Sequence, residues 1–354
     1  MAFWNIKNVA IKGITACVPD NKISTYDLDF FTEEEATTFI KTVGIENRYW
    51  APEGVCASDL CFNAAEKLIE ELTWNKDEIE VLAFESVTPD YKTPPTSAIL
   101  QNRLGLSNNC FVLDIPMGCC GFLYGLTVVS SLLTSGTVKK GLLLVGDTAT
   151  RMGSQYDKSR VPLFGDCGTA IALEYDENAE DMRIQFYSDG KGYKALHTPH
   201  GGYRTPTTPE SFIYEDFGNG IKRAPIHALI DGLEVFSFAI TKAPTSVNQF
   251  LEDNKIDRNQ DVDYFLIHQA NKMINDRVIK KIQIDKSKTT STLKDYGNTG
   301  GASIPFTMVA NLRDELQKKK LSLVMSSFGL GLTWGVAHLY TERIIIPELI
   351  KMSC

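Results

Sequence analysis

Short, nearly unbroken apolar runs recur along the chain, and stretches with apolar positions at helical spacing separate them. IEVLAFESVT (79–88), VKKGLLLVGD (138–147), FGDCGTAIALEY (164–175), VDYFLIHQAN (262–271) and KKKLSLVMSSFG (318–329) each read as a strand covered on both faces. Helices are expected over 57–72, where Ala64, Leu68 and Leu72 recur, and over 119–134, 271–283 and 305–319. Strands alternating with helices point to an α/β protein in which parallel strands lie between helical layers.

The pattern also repeats. IEVLAFESVT resembles VDYFLIHQAN, with a charged lead, an apolar run and a polar turn. FVLDIPMGCCGFLYGL (111–126) has a counterpart in TTSTLKDYGNTGGASIPFTM (289–308), read as strand, Gly-rich turn and helix. VKKGLLLVGD pairs with KKKLSLVMSSFG, and FGDCGTAIALEY with FGLGLTWGVAHLY (328–340). The first three pairs are offset by roughly 180 residues, the mark of a duplicated βα unit. The expected division is therefore a first half over 1–175 and a second over 176–354. A polar stretch rich in Gly, Pro and aromatics, about 188–224, reads as a long surface loop or cap.

Composition narrows the class. A net charge of −8 argues against general nucleic-acid binding, which needs a basic surface. The longest nearly apolar stretch, Gly121–Leu133, is well short of the ~20 residues that span a membrane, and the N-terminus lacks a signal-peptide layout. The eight cysteines show no paired CxxC spacing for a metal, so they are expected to be free thiols in a reducing cytoplasm.

Three segments carry candidate chemistry. The Gly/Cys turn after FVLDI places Cys119 at the start of an apolar helix, where unpaired N–H groups and the helix dipole favour a thiolate. FLIHQAN places His268 at the end of another strand, and YGNTGGASIP places Asn298 in a third turn. Cys, His and Asn, each expected where a strand yields to a turn, point to acyl transfer on a cysteine. Cys120 is expected to pack, as are the other histidines or to lie at the surface, while Gly300 and Gly301 permit close backbone approach.

These residues resemble a known family. GCCGF around Cys119, HQAN at 268–271, GNTGGASIP, FGLGLTWG, FGDCGTAIAL and GIENR (44–48) match, in order, the β-ketoacyl-acyl carrier protein synthase III enzymes, condensing members of the thiolase-like superfamily. The resemblance implies a five-layer αβαβα fold with two pseudo-repeated halves, and a homodimer. It implies Cys119 as the acylated nucleophile, His268 and Asn298 completing a triad, and the backbone N–H groups of Cys119 and Leu330 as an oxyanion hole. The reaction so implied is condensation of an acyl-CoA or acyl-carrier starter with malonyl-acyl carrier protein, without cofactor or metal. Same-fold transfer of the acyl group to an alcohol or amine, and a non-catalytic paralogue, are the alternatives.

An acidic carrier protein must deliver its arm near His268. Lys272, Arg277, Lys280 and Lys281, near one side of the helix after HQAN, are its expected docking patch. Where many relatives hold CoA adenine with a Trp and an Arg before the GIENR turn, this chain has Thr38 and Thr42. Lys158 stands where an Arg is frequent, and it can still bind phosphate as a point charge. Neither nucleic acid nor a membrane is an expected partner.

Overall fold

A computed structural model describes residues 2–353. The strands that build its two large sheets are β1 (Ala2–Ile6), β2 (Val9–Pro19), β3 (Val81–Glu85), β4 (Phe111–Ile115), β5 (Lys140–Asp147), β6 (Cys167–Tyr175), β7 (Met182–Ser188), β8 (Tyr264–Ile267), β9 (Lys320–Gly329), β10 (Thr333–Glu342) and β11 (Ile350–Met352). The helices are α1 (Glu33–Val43), α2 (Ala57–Leu72), α3 (Thr96–Arg103), α4 (Gly121–Leu133), α5 (Gly232–Asp253), α6 (Lys272–Ile282), α7 (Leu293–Tyr296) and α8 (Ser303–Lys318). The four helices expected from the periodicity are all present, with ends shifted by no more than a turn.

One sheet has the order β11-β2-β6-β5-β3-β4 and the other β1-β7-β10-β9-β8. Helices α4 and α8 lie between them: Phe122, Leu126 and Val129 of α4 and Ile304, Phe306 and Leu312 of α8 share one core with residues of both sheets. The outer face of the first sheet is covered by α2 and α3 through Leu60, Leu68 and Leu100. The outer face of the second is covered by α5 and α6 through Val247, Phe250 and Val278. This is the five-layer αβαβα stack of a thiolase-like fold, and its central helices are apolar because both of their faces are buried.

The sheets are mixed rather than parallel throughout. β3 runs parallel to β4 and β5, and β8 parallel to β9, whereas β5/β6 and β9/β10 are antiparallel. Only residues 330–332 join β9 to β10, and a parallel crossover needs a dozen or more residues. The expected boundary at 175/176 falls between β6 and β7, but the chain ends cross it. Trp4 pairs with Ile184 in the second sheet, and Lys351 pairs with Val18 in the first.

One expected strand does not form. Over 289–292 the chain makes a single bridge, Phe265 to Thr289, before the short helix α7. TTST offers polar side chains with no apolar run to bury, so the repeat is incomplete there. Asn298 therefore follows a helix, not a strand. The 188–224 segment is a cap of short turns, and Leu196–His197 pairs with Leu229–Ile230 just beyond it. Seven of the eight cysteines are unbridged; Cys354 lies outside the described residues.

Candidate active site

Cys119 sits in a single 3₁₀ turn, Gly118–Cys120, that leads straight into α4. Gly118 has a φ of +61°, which glycine adopts without strain, and its N–H donates to Glu85 Oε1 at 2.8 Å. The end of β9 presses on this turn: a methyl group on Gly329 would lie 2.5 Å from Cys119 Cβ and 2.6 Å from its sulfur. The backbone N–H of Leu330, next along, and that of Cys119 itself both act on the sulfur and favour its thiolate.

They do not prevail in the resting protein. Cys119 keeps only partial exposure, and burial, aided by the charges of Asp147 and Glu85, pushes its thiol up to about 11. The thiolate expected from helix position alone is thus corrected: desolvation outweighs the dipole of the first turn. Its neighbour Cys120 is fully buried, with Sγ 3.3 Å from the Thr333 carbonyl, and packs as expected.

His268 follows β8 and is buried. Its ring stands edge-on to Phe328, 5.6 Å between centroids at 85°, one residue before the Gly329 that touches Cys119. Burial lowers its pKa to about 4, so the imidazole is neutral near pH 7. Nδ1 lies 2.7 Å from Ser303 Oγ, the first residue of α8. The rest of HQAN is structural. Gln269 donates to the Ile267 carbonyl and accepts from Ser291 Oγ and Thr292 N–H, and Asn271 Oδ1 caps α6 by accepting from Ile274 N–H at 2.9 Å.

Asn298 is buried on the opposite turn. Its N–H donates to Leu163 C=O at 2.9 Å and its C=O accepts from Gly165 N–H at 3.1 Å, which ties it to the FGD segment. The side-chain Oδ1 accepts from Gly300 N–H at 3.0 Å, so the amide NH₂ is the end left for a ligand.

Two buried carboxyl groups brace these turns, and sequence reasoning missed both. Glu85 ends β3 and Asp147 ends β5. A side chain on Gly121 or Gly301 would run into Glu85, so this carboxyl fills the space between the Cys119 turn and the Asn298 turn. Asp147 accepts from Ser86 Oγ at 3.0 Å, Val87 N–H at 2.9 Å and Gly301 N–H at 3.4 Å. Burial, and then the charge of Asp147, holds Glu85 far above the usual carboxylate range; burial lifts Asp147 to about 6. The signal was an acid closing an otherwise apolar strand in both LAFE and LVGD.

A cavity of about 100 Å³ opens at Cys119. Its wall includes Leu330, Gly300 and Asp147 from the site, Arg160 and Phe164 from the FGD approach, and His197 and Leu229 from the cap region. His268 and Asn298 are not part of this wall. The cap thus roofs the site, and His197, expected to be structural or at the surface, faces the same space as the cysteine.

The remaining expected residues lie further out. Lys158 is 3.9 Å from Glu35, and both line a surface depression of about 560 Å³ with Thr38 and Thr42, so the three positions that depart from the family pattern meet in one place. Lys272, Arg277, Lys280 and Lys281 are exposed but do not form one free patch. Lys272 pairs with Asp276, Arg277 stacks over Phe236 at 5.4 Å, and Lys281 donates to Ile240 C=O at 2.8 Å. Helix geometry spreads these four positions around half the helix, so two of them lean on α5. Lys272 instead borders a groove of about 500 Å³ that also carries Lys41, Lys286 and Lys294.

The family model for 3-oxoacyl-[acyl-carrier-protein] synthase III matches residues 113–190, and the model for its C-terminal part matches 251–341. A β-ketoacyl-[acyl-carrier-protein] synthase III of Clostridium perfringens is 30% identical over 333 residues, covering 94% of this chain and 99% of that protein. One from Koribacter versatilis is 29% identical, covering 95% and 98%. The crystal structure of a 3-oxoacyl-(acyl-carrier protein) synthase from Burkholderia xenovorans superposes with a TM-score of 0.93 at 33% identity, covering 99% of each chain.

Proposed function

Since this chain belongs to the 3-oxoacyl-[acyl-carrier-protein] synthase III family, an acyltransferase family of condensing enzymes, we propose that it joins an acyl starter to a malonyl thioester through an acyl group carried on Cys119. The observation that carries this reading is Cys119 on the turn that opens α4, pressed against Gly329 at the end of β9, with Leu330 beside it in the wall of the same cavity.

In the first half-reaction Cys119 Sγ attacks the carbonyl carbon of the starter thioester. The tetrahedral oxyanion takes hydrogen bonds from the N–H groups of Cys119 and Leu330 as it forms. The thiol is protonated at rest, so its proton must leave as the C–S bond forms. Neutral His268 Nε2 accepts it when Nδ1–H donates to Ser303, and returns it to the departing carrier thiol.

In the second half-reaction the malonyl thioester loses CO₂, and negative charge grows on its thioester oxygen. A ring N–H at His268 Nε2 and the Asn298 amide NH₂ donate to that oxygen. Ser303 serves both steps because a hydroxyl donates or accepts: with Ser303 as donor to Nδ1, the proton resides on Nε2. The enolate carbon then attacks the acyl carbon on Cys119, the C–S bond breaks to release the Cys119 thiolate, which takes up a proton from solvent, and a 3-oxoacyl thioester departs. The steps use this chain's own side chains and amides, with CoA or phosphopantetheine thioesters as substrates and no cofactor.

The partners follow from the chemistry. Malonyl arrives on an acyl carrier protein, which docks by its acidic surface near the exposed cations Lys272 and Lys280. We assign the far end of a CoA-bound starter to the depression with Lys158, Thr38 and Thr42. We assign a homodimer in the cytoplasm, supported by family membership and by unbridged cysteines that suit a reducing compartment. Among the described residues no helix is long and apolar enough to cross a membrane. Incubation with an acyl thioester and malonyl-carrier tests the reading: CO₂ release with a 3-oxoacyl product is expected. Acyl transfer to an alcohol or amine without CO₂ would instead identify a non-condensing transferase.

A further inference from the structure

Arg160 is an unusual wall for an acyl pocket. Its side chain is 4% exposed and lines the cavity at Cys119. One donor is used: Nη2–H donates to the Ala149 carbonyl at 3.1 Å. Nε and Nη1 have no hydrogen-bond partner among the described residues. The guanidinium stacks over Phe164, 4.7 Å from the ring centroid, and Phe164 lines the same cavity, as does Ala149. Glycine at 153 leaves the room in which the guanidinium lies.

The acids around it do not satisfy these donors. Asp157 pairs with Arg223 at 2.6 Å and with Ser159, and Asp166 accepts from Ala51 N–H and from Thr150. Burial lowers the Arg160 pKa only to about 10, so the group keeps its charge at neutral pH. A buried charge with idle donors is costly unless a partner arrives. A plain alkyl chain beside it would leave those donors unpaired, whereas an oxygen acceptor would engage them.

We infer that the starter loaded on Cys119 is a short acyl group bearing an oxygen acceptor, a carboxylate or a hydroxyl, beyond its thioester, and that Arg160 recognises that oxygen. The cavity of about 100 Å³ suits a chain of a few carbons. Thr198 also faces it, and His197 offers a second polar contact. The inference rests on the acyl-Cys119 reading above and names its substrate class.

The test compares succinyl, 3-hydroxybutyryl and butyryl pantetheine thioesters by intact-mass kinetics of Cys119 acylation. Pantetheine removes any dependence on CoA or carrier contacts. Wild-type protein is expected to load at least one oxygenated group about tenfold or more faster than butyryl, the scale of a hydrogen bond to a charged group. Which of the two loads faster tells carboxylate from hydroxyl. In Arg160→Met the ratio falls toward one; Arg160→Lys keeps the charge without the fork and covers the case in which the Met variant does not fold. Equal or faster loading of butyryl by wild type overturns the inference, as does an oxygenated preference that survives undiminished in Arg160→Met or, where that variant does not fold, in Arg160→Lys. Failure of all three donors to label Cys119 overturns the acyl-enzyme reading itself, and this inference with it.

Discussion

Ser303 Oγ lies 2.7 Å from His268 Nδ1, and the Gln269 N–H donates to the same oxygen at 3.4 Å. The hydroxyl at the start of α8 therefore holds the ring that follows β8, accepting from Nδ1 in one tautomer and donating to it in the other. Ser303→Ala should lower malonyl decarboxylation by about five- to 150-fold, from a buried hydrogen bond of about 1–3 kcal/mol. Ser303→Thr, which keeps the hydroxyl, should restore part of it. CO₂ release by both variants against wild type checks this, and an alanine variant at full rate removes Ser303 from the mechanism.

Asn298→Ala should separate the two half-reactions. Loss of one preorganised donor costs about 2.7–4 kcal/mol, or 10²–10³ in rate, at the decarboxylation step. Acylation of Cys119, which does not use that amide, should stay within a few-fold of wild type as followed by intact mass. Equal damage to both steps would contradict the assignment.

The raised Cys119 pKa of about 11 predicts a pH profile. Alkylation of Cys119 by iodoacetamide in free protein should climb steadily from pH 7 to pH 9.5 without a plateau. A plateau near neutral pH would mean a resting thiolate and restore the helix-dipole expectation.

Asp147 predicts a stability slope. Its pKa rises from 3.8 unfolded to about 6 folded, so the native state holds more protons between those values and loses stability as pH rises through them. Asp147→Asn cannot titrate. Its stability relative to wild type should improve by up to about 2–3 kcal/mol between pH 4 and pH 7, read from urea denaturation at each pH.

Gly329→Ala would push a methyl into Cys119 Cβ, 2.5 Å away. Overpacking at such a contact should destabilise by about 1–3 kcal/mol and slow acylation of Cys119, as measured by denaturation and by intact mass.

The sequence exposed what is local. Cys119, His268 and Asn298 lie in short motifs at element ends, and the apolar runs marked both sheets and the layers around them. What it hid depends on partners distant along the chain. Glu85 meets Gly118 across 33 residues and Asp147 meets Gly301 across 154, so neither acid declares itself in its own segment. Nothing in its own segment marks Arg160 before folding buries it beside Phe164. The thiolate expectation failed for the same reason, since burial of the Cys119 turn comes from β9 and the central layer. The absent strand over 289–292 shows the limit of repeat matching: TTST follows the pattern of FVLDI in position but has no apolar side chains to bury.

The most direct test is a two-step mass experiment on the intact protein. An acyl thioester is expected to add one acyl mass, mapped to Cys119 by peptide sequencing, and malonyl-carrier is then expected to remove it with stoichiometric CO₂ and a 3-oxoacyl product. An acyl group found on another residue, or one on Cys119 that malonyl-carrier leaves in place, would contradict the account.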